Sequence, residues 1–419
     1  MTKFTKGEKS WILYDWANSA YTLVITTTIL PLFFKAMTDQ AGIAPNVSTA
    51  YWGYANSFAT FLVAILAPVL GAIADYKDIK KKFFVAALTI GVTFTAALTF
   101  VPAGNWITLL SIYILSIVGY SGANVFYDAF LVDVADEEKM DQVSSHGYAW
   151  GYIGSTIPFV VIAAMIFKHD MFGLTELMAM RIGFFMTAIW WCVFSLPMIK
   201  NVKQKYFIEK EENAIKKSML RLKDTLSNIR EHKVIFSFLI AYFFYIDGVG
   251  TIIKMAVVYG SDVGLSSTTL IVVLLAVQIV AFPFAILYGR LAKKFGARKM
   301  IQFAIIVYIF TCFYAYQLDT VAEYWVLGML VASSQGGIQA LSRSYYGKLI
   351  PKEKSNEFYG FYNIFGKFAA VMGPFLVGFM SDMTGSSQNG IFSIVALFII
   401  GFILLMRVPK TAEEMKQVA

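Results

Sequence analysis

The chain has 419 residues, 58% of them hydrophobic and 15% charged, with a formal net charge of +8 and a mean hydropathy of +0.63. A water-soluble chain of this length would carry about 25% charged residues, so the composition excludes an ordinary soluble enzyme and points to lipid as the solvent. The basic excess is not a nucleic-acid signature either, because it falls almost wholly on one side of a membrane reading, and no nucleic-acid partner is expected.

Twelve apolar stretches of about 18–26 residues follow one another, and roughly 20 apolar residues at a 1.5 Å rise cross a bilayer core. They are placed near 11–35, 49–74, 83–102, 106–131, 144–167, 177–199, 234–258, 268–289, 300–318, 323–345, 358–381 and 390–407. Met1 to Lys9 is short and basic, and the run behind it is too long and too polar for a cleaved signal peptide, so the first span is expected to stay. All but five of the 35 Lys and Arg then lie on the side of the N-terminus. Lys35 and Lys168 lie opposite, and Arg181, Lys254 and Lys367 lie within spans. This asymmetry predicts both termini in the cytoplasm.

The only long polar stretch separates six spans from six, giving an N-terminal bundle (1–199), a cytoplasmic linker (200–233) and a C-terminal bundle (234–419). In the linker, Ile215, Met219, Leu222 and Leu226 recur at helical spacing and predict an amphipathic helix. Cys192 and Cys312 sit inside apolar runs and are expected to pack as small hydrophobes. His146, His169 and His232 are scattered, so no metal site is predicted. No Gly-x-x-x-x-Gly-Lys-Ser/Thr loop occurs, which argues against direct ATP drive. No cofactor is expected, and neither a nucleophile–base set nor a metal-ligand set suggests an enzyme.

Ionisable groups at mid-membrane cost about 2.5–3.5 kcal/mol or more and are seldom kept without a job. In the first span Asp15, Asn18, Ser19 and Thr22 (i, i+3, i+4, i+7) share one helix face. They read as a cavity wall with Asp15 meeting a substrate amine or a proton; Asp15, a turn inside its span, serves equally as a gate or interface residue. Tyr120, Asn124, Tyr127 and Asp128 form the stripe of the fourth span. In the seventh, Asp247, Thr251 and Lys254 share a face. Asp247 and Lys254 lie about 10 Å apart along the axis, too far for a direct pair, so each needs another partner or a ligand group. The alternative is a pair of structural charges that locks one state.

The tenth span presents Gln335, Gln339, Ser342 and Arg343 on one stripe around Gly336-Gly337, and the eleventh adds Tyr362, Asn363 and Lys367. Glutamine amides both donate and accept, which suits a small polar solute. Arg343 reads as a carboxylate clamp or as a gating residue that pairs with Asp128, and Lys367 as a site residue or a packed counter-ion. Asp75, after the second span, is expected to cap a helix N-terminus, most simply that of the eleventh span, or to mark simple helix termination.

The halves repeat. Gly71-Ala-Ile-Ala-Asp75-Tyr76 with Lys77, Lys80, Lys81 and Lys82 is matched by Gly289-Arg290, Lys293, Lys294, Gly296, Arg298 and Lys299. Likewise His146-Gly147-Tyr148-Ala-Trp150 is matched by Tyr359-Gly360-Phe361-Tyr362-Asn363. Twelve spans, a 6+6 repeat and this loop resemble the major facilitator superfamily, whose loop signature is Gly-x-x-x-Asp-Arg-x-Gly-Arg-Arg/Lys. The chain departs from it with Tyr76 for the arginine and Ile79 near the later glycine, and its second copy has Lys293 for the aspartate.

Four longer motifs in order resemble the vacuole-effluxer-like branch, which holds fungal vacuolar amino-acid exporters and bacterial relatives. They are Tyr14-Asp15-Trp16-Ala17-Asn18-Ser19-Ala20-Tyr21, Tyr245-Ile-Asp247-Gly248-Val249-Gly250-Thr251, Gln335-Gly336-Gly337-Ile338-Gln339-Ala340-Leu341-Ser342-Arg343, and Glu357-Phe358-Tyr359-Gly360 with Lys367 and Gly373-Pro374. After the fourth span the branch usually has Asn-Ala-x-Leu-Pro, whereas this chain reads Asp128-Ala-Phe-Leu131-Val132.

The resemblance implies an all-α integral membrane protein of twelve transmembrane helices in two pseudo-symmetric six-helix bundles, and export by alternating access. The expected binding set is Asp15, Asn18, Tyr127, Asp247, Thr251, Lys254, Gln335, Gln339 and Lys367, with Asp75, Asp128 and Arg343 gating. Charges of both signs suit a zwitterion such as an amino acid or short peptide. Proton coupling stays open, with Asp15 and Asp247 as its candidate carriers, while a uniporter needs neither. Two other readings stand: a carrier of an amphiphile (lipid-linked sugar, cell-wall fragment or drug-like compound), favoured by the aromatic load, and a non-transporting membrane sensor. A monomer in a bacterial plasma membrane is expected.

Overall fold

In the computed structural model, residues 4–227, 231–262, 265–318 and 320–409 are described, and they are helical nearly throughout. The helices are α1 (Lys6–Gln40), α2 (Pro45–Ala74), α3 (Lys80–Ala97), α4 (Trp106–Ala129), α5 (Glu137–Phe167), α6 (Glu176–Asn201), α7 (Ala214–Ser227), α8 (Lys233–Asp262), α9 (Ser267–Phe295), α10 (Ala297–Tyr316), α11 (Val321–Leu349), α12 (Ser355–Thr384) and α13 (Gln388–Arg407). Among the described residues, eleven helical segments are long and apolar enough to cross a membrane. α11 is not one of them, because Ser333, Ser334, Gln335, Gln339, Ser342, Arg343 and Ser344 lower its hydropathy. Five of these seven positions are buried, and Ser333 and Gln339 are half-buried. Neighbouring helices, not lipid, surround this polar stretch, so it can be carried at membrane depth.

The chain forms two compact units. The first comprises residues 1–134, 150–218 and 352–360, and the second 135–149, 219–351 and 361–419. The opening turns of α5 thus pack with the second unit and those of α12 with the first. These turns begin upstream of the apolar stretches that start near 144 and 358. They are polar, and they are helical because Glu137 and Ser355 start their helices well before the apolar residues do. Hydropathy marks where lipid begins, not where the helix does.

Within the first unit, α3 and α4 approach closely at a glycine pair: a Cβ on Gly119 would lie 2.3 Å from the Gly91 nitrogen. Small residues allow such close approach where lipid offers no hydrophobic drive between helices. α1 is interrupted by a π-helical segment, Thr22–Thr28, whose Thr26 and Thr27 hydroxyls both donate to the Thr22 carbonyl (2.6 and 2.8 Å). π-segments inside α-helices are frequent at functional sites.

The linker is partly a strap. Ile208 bridges to Tyr76, with its N–H on the Asp75 carbonyl (2.8 Å) and its carbonyl taking the Lys77 N–H (3.1 Å). Ser218 of α7 donates to the Ala72 carbonyl (3.2 Å). Of the apolar stripe expected on α7, Ile215 and Leu226 are exposed.

Candidate functional site

In the first unit, the polar stripe of α1 meets that of α4 in hydrogen-bonded pairs. Asn18 Nδ2 donates to Asn124 Oδ1 (2.8 Å), and the Thr22 and Tyr120 hydroxyls lie 2.6 Å apart. Tyr120 stacks on Tyr21 (4.3 Å between centroids), whose hydroxyl meets Ser116 (3.0 Å). Asp15 is buried and acts electrostatically on Tyr14 and Tyr120. Tyr127 is also buried, its ring stacked on Trp11 (4.4 Å) and tilted against Tyr14 (4.6 Å), while its carbonyl accepts from Trp11 Nε1 (2.9 Å). Asp128 is half-buried at the end of α4.

In the second unit the wall is charged. Asp247 is fully buried in α8; its Oδ1 accepts from the Gly373 N–H of α12 (2.9 Å) and from the Thr251 hydroxyl (3.5 Å). Pro374 follows Gly373 and weakens the helix ladder there, so the carboxylate caps a weak point of α12. A Cβ on Gly373 would lie only 1.9 Å from Thr251 Oγ1, which is why glycine stands at this crossing. Asp247 Oδ2 is buried with no hydrogen-bond partner among the described residues. Lys254, exposed and two turns along α8, acts electrostatically on Asp247 and on the half-buried Lys367 of α12. Asp247, Lys254 and Lys367 therefore form one electrostatic group, with one acceptor oxygen unspent.

Beside this group lies a tyrosine layer that the sequence reading did not assemble. Tyr362 stacks on Tyr242 (4.4 Å) and on Tyr346 (5.0 Å), and the Tyr245 and Ser342 hydroxyls lie 2.7 Å apart. Its signal was present as repeated tyrosines in α8, α11 and α12, but only packing shows that they converge. Gln339 is half-buried and its amide donates to the Gln335 carbonyl of its own helix (3.2 Å). Gln335 faces an apolar cavity instead of the charged group.

Each unit also clasps a helix start. In the first, Asp75 Oδ1 accepts from the Asn356 N–H (2.9 Å) and side-chain amide (2.8 Å), and Oδ2 from the Glu357 N–H (3.2 Å). A carboxylate there meets the positive end of the α12 dipole. Burial pushes the Asp75 carboxyl up to about 7, against the opposing pull of Lys80 and the Asn356 bonds. Lys80, also fully buried, bonds Asp133 Oδ2 (2.6 Å) and the Ser355 hydroxyl (2.9 Å), while Asp133 Oδ1 accepts the linker N–H groups of Lys205 (2.7 Å) and Tyr206 (2.9 Å).

In the second unit, Arg343 donates to the Ser144 hydroxyl (3.0 Å) and carbonyl (3.1 Å) of α5 and sits 4.5 Å over the Tyr148 ring. Asp141 accepts from Ser344 and from Lys348 (both 2.7 Å). Asp141 and Ser144 were not singled out from sequence, since nothing local marks one polar residue near a span end over another, and Asp133 read only as an interfacial residue beyond the fourth span.

The profile of the family described as vacuole effluxer Atg22 like matches residues 5–417. The chain belongs to this family. A Bacillus subtilis (strain 168) relative described as the MFS-type transporter YxiO is 50% identical over 420 residues, covering 100% of this chain and 98% of its own. Autophagy-related protein 22 of Kluyveromyces lactis is 21% identical over 456 residues, covering 94% and 91%.

Among solved structures, the human organic anion transporter MFSD10 superposes with a TM-score of 0.73 at 13% identity, covering 95% of this chain and 99% of that one. The proton:xylose symporter XylE gives 0.71 at 14%, covering 99% and 98%. Such low identities carry the fold alone, which is the major facilitator fold of twelve transmembrane helices in two pseudo-symmetric six-helix bundles. The chain is a multi-pass membrane transporter of that superfamily.

Proposed function

We propose that the transporter moves a small zwitterionic solute, an amino acid or short peptide, by alternating access, and that it works as an exporter from the cytoplasm with both termini inside. The observation that carries this reading is the electrostatic group of Asp247, Lys254 and Lys367, with one buried carboxylate oxygen unspent. A solute ammonium would meet Asp247 and a solute carboxylate Lys254 or Lys367, each charge replacing the water it loses. Thr251 and Gln339 complete the binding wall of the second unit; Asp15 and Asn18 form that of the first, with Tyr127 supporting them from its aromatic stack. Asp75, Asp128 and Arg343 gate, the first and third by releasing the starts of α12 and α5. In domain terms the bundles are residues 1–199 and 234–419, joined by 200–233. The family description, vacuole effluxer, is the support for efflux.

Counterflow of labelled amino acids and dipeptides in liposomes tests this. At least one zwitterion is expected to exchange, with Asp247→Asn and Lys367→Gln each slowing exchange at least tenfold while the purified variants stay folded. Exchange of neutral amphiphiles with none of any zwitterion would replace this reading with the amphiphile carrier; ligand binding without any exchange would make the protein a sensor. Accumulation that survives a proton ionophore would remove the proton as driving ion.

A further inference from the structure

On the face of α8 away from Asp247, Thr251 and Lys254, the second unit holds a cavity of about 90 Å³. It lies among α8, α9, α10, α11 and α13, with Ile252, Ala256, Val277 and Leu327 among its apolar walls, and among the described residues no charged side chain lines it. Its hydroxyl-bearing walls are already committed: Tyr259 donates to the Ala315 carbonyl (2.5 Å), Tyr324 to the Ala256 carbonyl (3.0 Å) and Thr311 to the Val307 carbonyl (2.8 Å). Gln278 and Gln335 differ. Among the described residues neither side-chain amide has a hydrogen-bond partner, although Gln335 is only 7% exposed.

Buried amides are normally paired, so the unspent amide of Gln335, with that of the half-buried Gln278 on the same apolar chamber, calls for a guest that brings the missing groups. The described walls are apolar or amide-bearing and offer no charge to offset an ion's desolvation. A fully apolar guest would leave both amides unmet.

We propose that this cavity is a second ligand site, separate from the charged group, that takes an uncharged amphiphile: an alkyl or aryl body seated on the aliphatic walls, with one amide, ester or alcohol group held between Gln278 and Gln335. Each amide can donate and accept, so a carbonyl or a hydroxyl satisfies the pair. The same chemistry is offered by a neutral glycerolipid and by a free small molecule. The site does not depend on which solute the charged group carries.

The test uses the full chain in lipid nanodiscs and a diazirine-bearing decanamide, with labelled peptides mapped by mass spectrometry. Labelling is expected on α8, α9 and α11 around the cavity, competed by decanamide or decanol at least tenfold better than by decanoate or decylamine. Gln278→Leu is expected to erase that preference for the neutral head, and Ala256→Phe, which fills the chamber, to abolish labelling. Gln278→Leu should keep zwitterion counterflow, showing that it is folded. Competition by a diacylglycerol would assign the guest to the bilayer, and its failure beside successful decanamide competition to a free amphiphile. Labelling spread evenly over lipid-facing helices, equal competition by charged chains, or labelling unchanged in both variants would overturn the proposal.

Discussion

The two units hold a crossing helix start by different chemistry at related positions. In the first, Gly71 lets α2 touch the opening turn of α12, where an added Cβ would lie 2.4 Å from the Asn356 carbonyl oxygen, and Asp75 takes the free N–H groups. In the second, Gly289 lets α9 touch α5, where an added Cβ would lie 2.6 Å from Ser145 Cβ, but the residue matching Asp75 is Lys293. The grip there passes to α11, through Arg343 on Ser144 and Lys348 on Asp141. The steric device is therefore common to both units, while the electrostatic one is not. One clasp is an acceptor facing helix-end amides, the other a pair of cations facing a serine and an aspartate. The first is also reinforced by the linker through Asp133, so the loop joining the halves takes part in it.

The largest effect on this contrast should come from Asp133→Ala. It would leave the fully buried Lys80 ammonium without its carboxylate and two linker N–H groups without their acceptor. Removing one partner of a buried ion pair costs about 3–5 kcal/mol. A clear loss of thermal stability is expected, with faster proteolysis of the linker near Lys205. Unchanged linker protection would show that the strap is held elsewhere.

Next is Asp75→Ala, which strands the Asn356 and Glu357 amides at about 2–3 kcal/mol; Asp75→Asn should recover much of this. The pH dependence has a defined sign. The packed carboxyl titrates at about 7, and once released near 3.9, so the packed state binds its proton more tightly. Its contribution is full below about pH 4, declines as pH rises, and is lost above about 7. The melting-temperature difference between wild type and Asp75→Asn should shrink over that window. A difference that grows with pH would show that the amide donors outweigh burial and hold the carboxylate ionised.

Arg343→Gln should cost the second unit about 2 kcal/mol, since hydrogen bonds from a charged donor are worth roughly 1.5–3. Arg343→Lys should rescue little, because a point charge cannot serve the Ser144 hydroxyl and carbonyl while lying over Tyr148. If Gln matches wild type in thermal unfolding, the Lys348–Asp141 pair alone holds α5.

The smallest effect concerns the loops after α2 and α9. Asp78 has φ +62° and Gly296, at the corresponding repeat position, φ +86°. A left-handed residue other than glycine carries a strain of about 1 kcal/mol, so Asp78→Gly should stabilise by up to that amount and Gly296→Asp should destabilise. Equal melting temperatures in both variants would mean that neither loop limits stability.

Much of the architecture was legible because lipid imposes a simple rule: runs of apolar residues must be helices of bilayer length. Periodicity likewise placed Asp247, Thr251 and Lys254 on one face. The helix starts were not legible, since the first turns of α5 and α12 are polar and read as loops. Nor could spacing tell that Asp247 would find the Gly373 amide, or that Gln335 would turn away from its stripe-mates into an apolar chamber.

By itself the sequence determined the solvent, the number and order of spans, the duplicated loops and the family, all properties of local composition and pattern. Only the tertiary structure decided which unit claims the starts of α5 and α12, which of two related clasps uses a carboxylate, and which polar groups remain unspent. Those outcomes depend on close approach between helices distant in the chain, where one missing Cβ or one buried acceptor selects the partner.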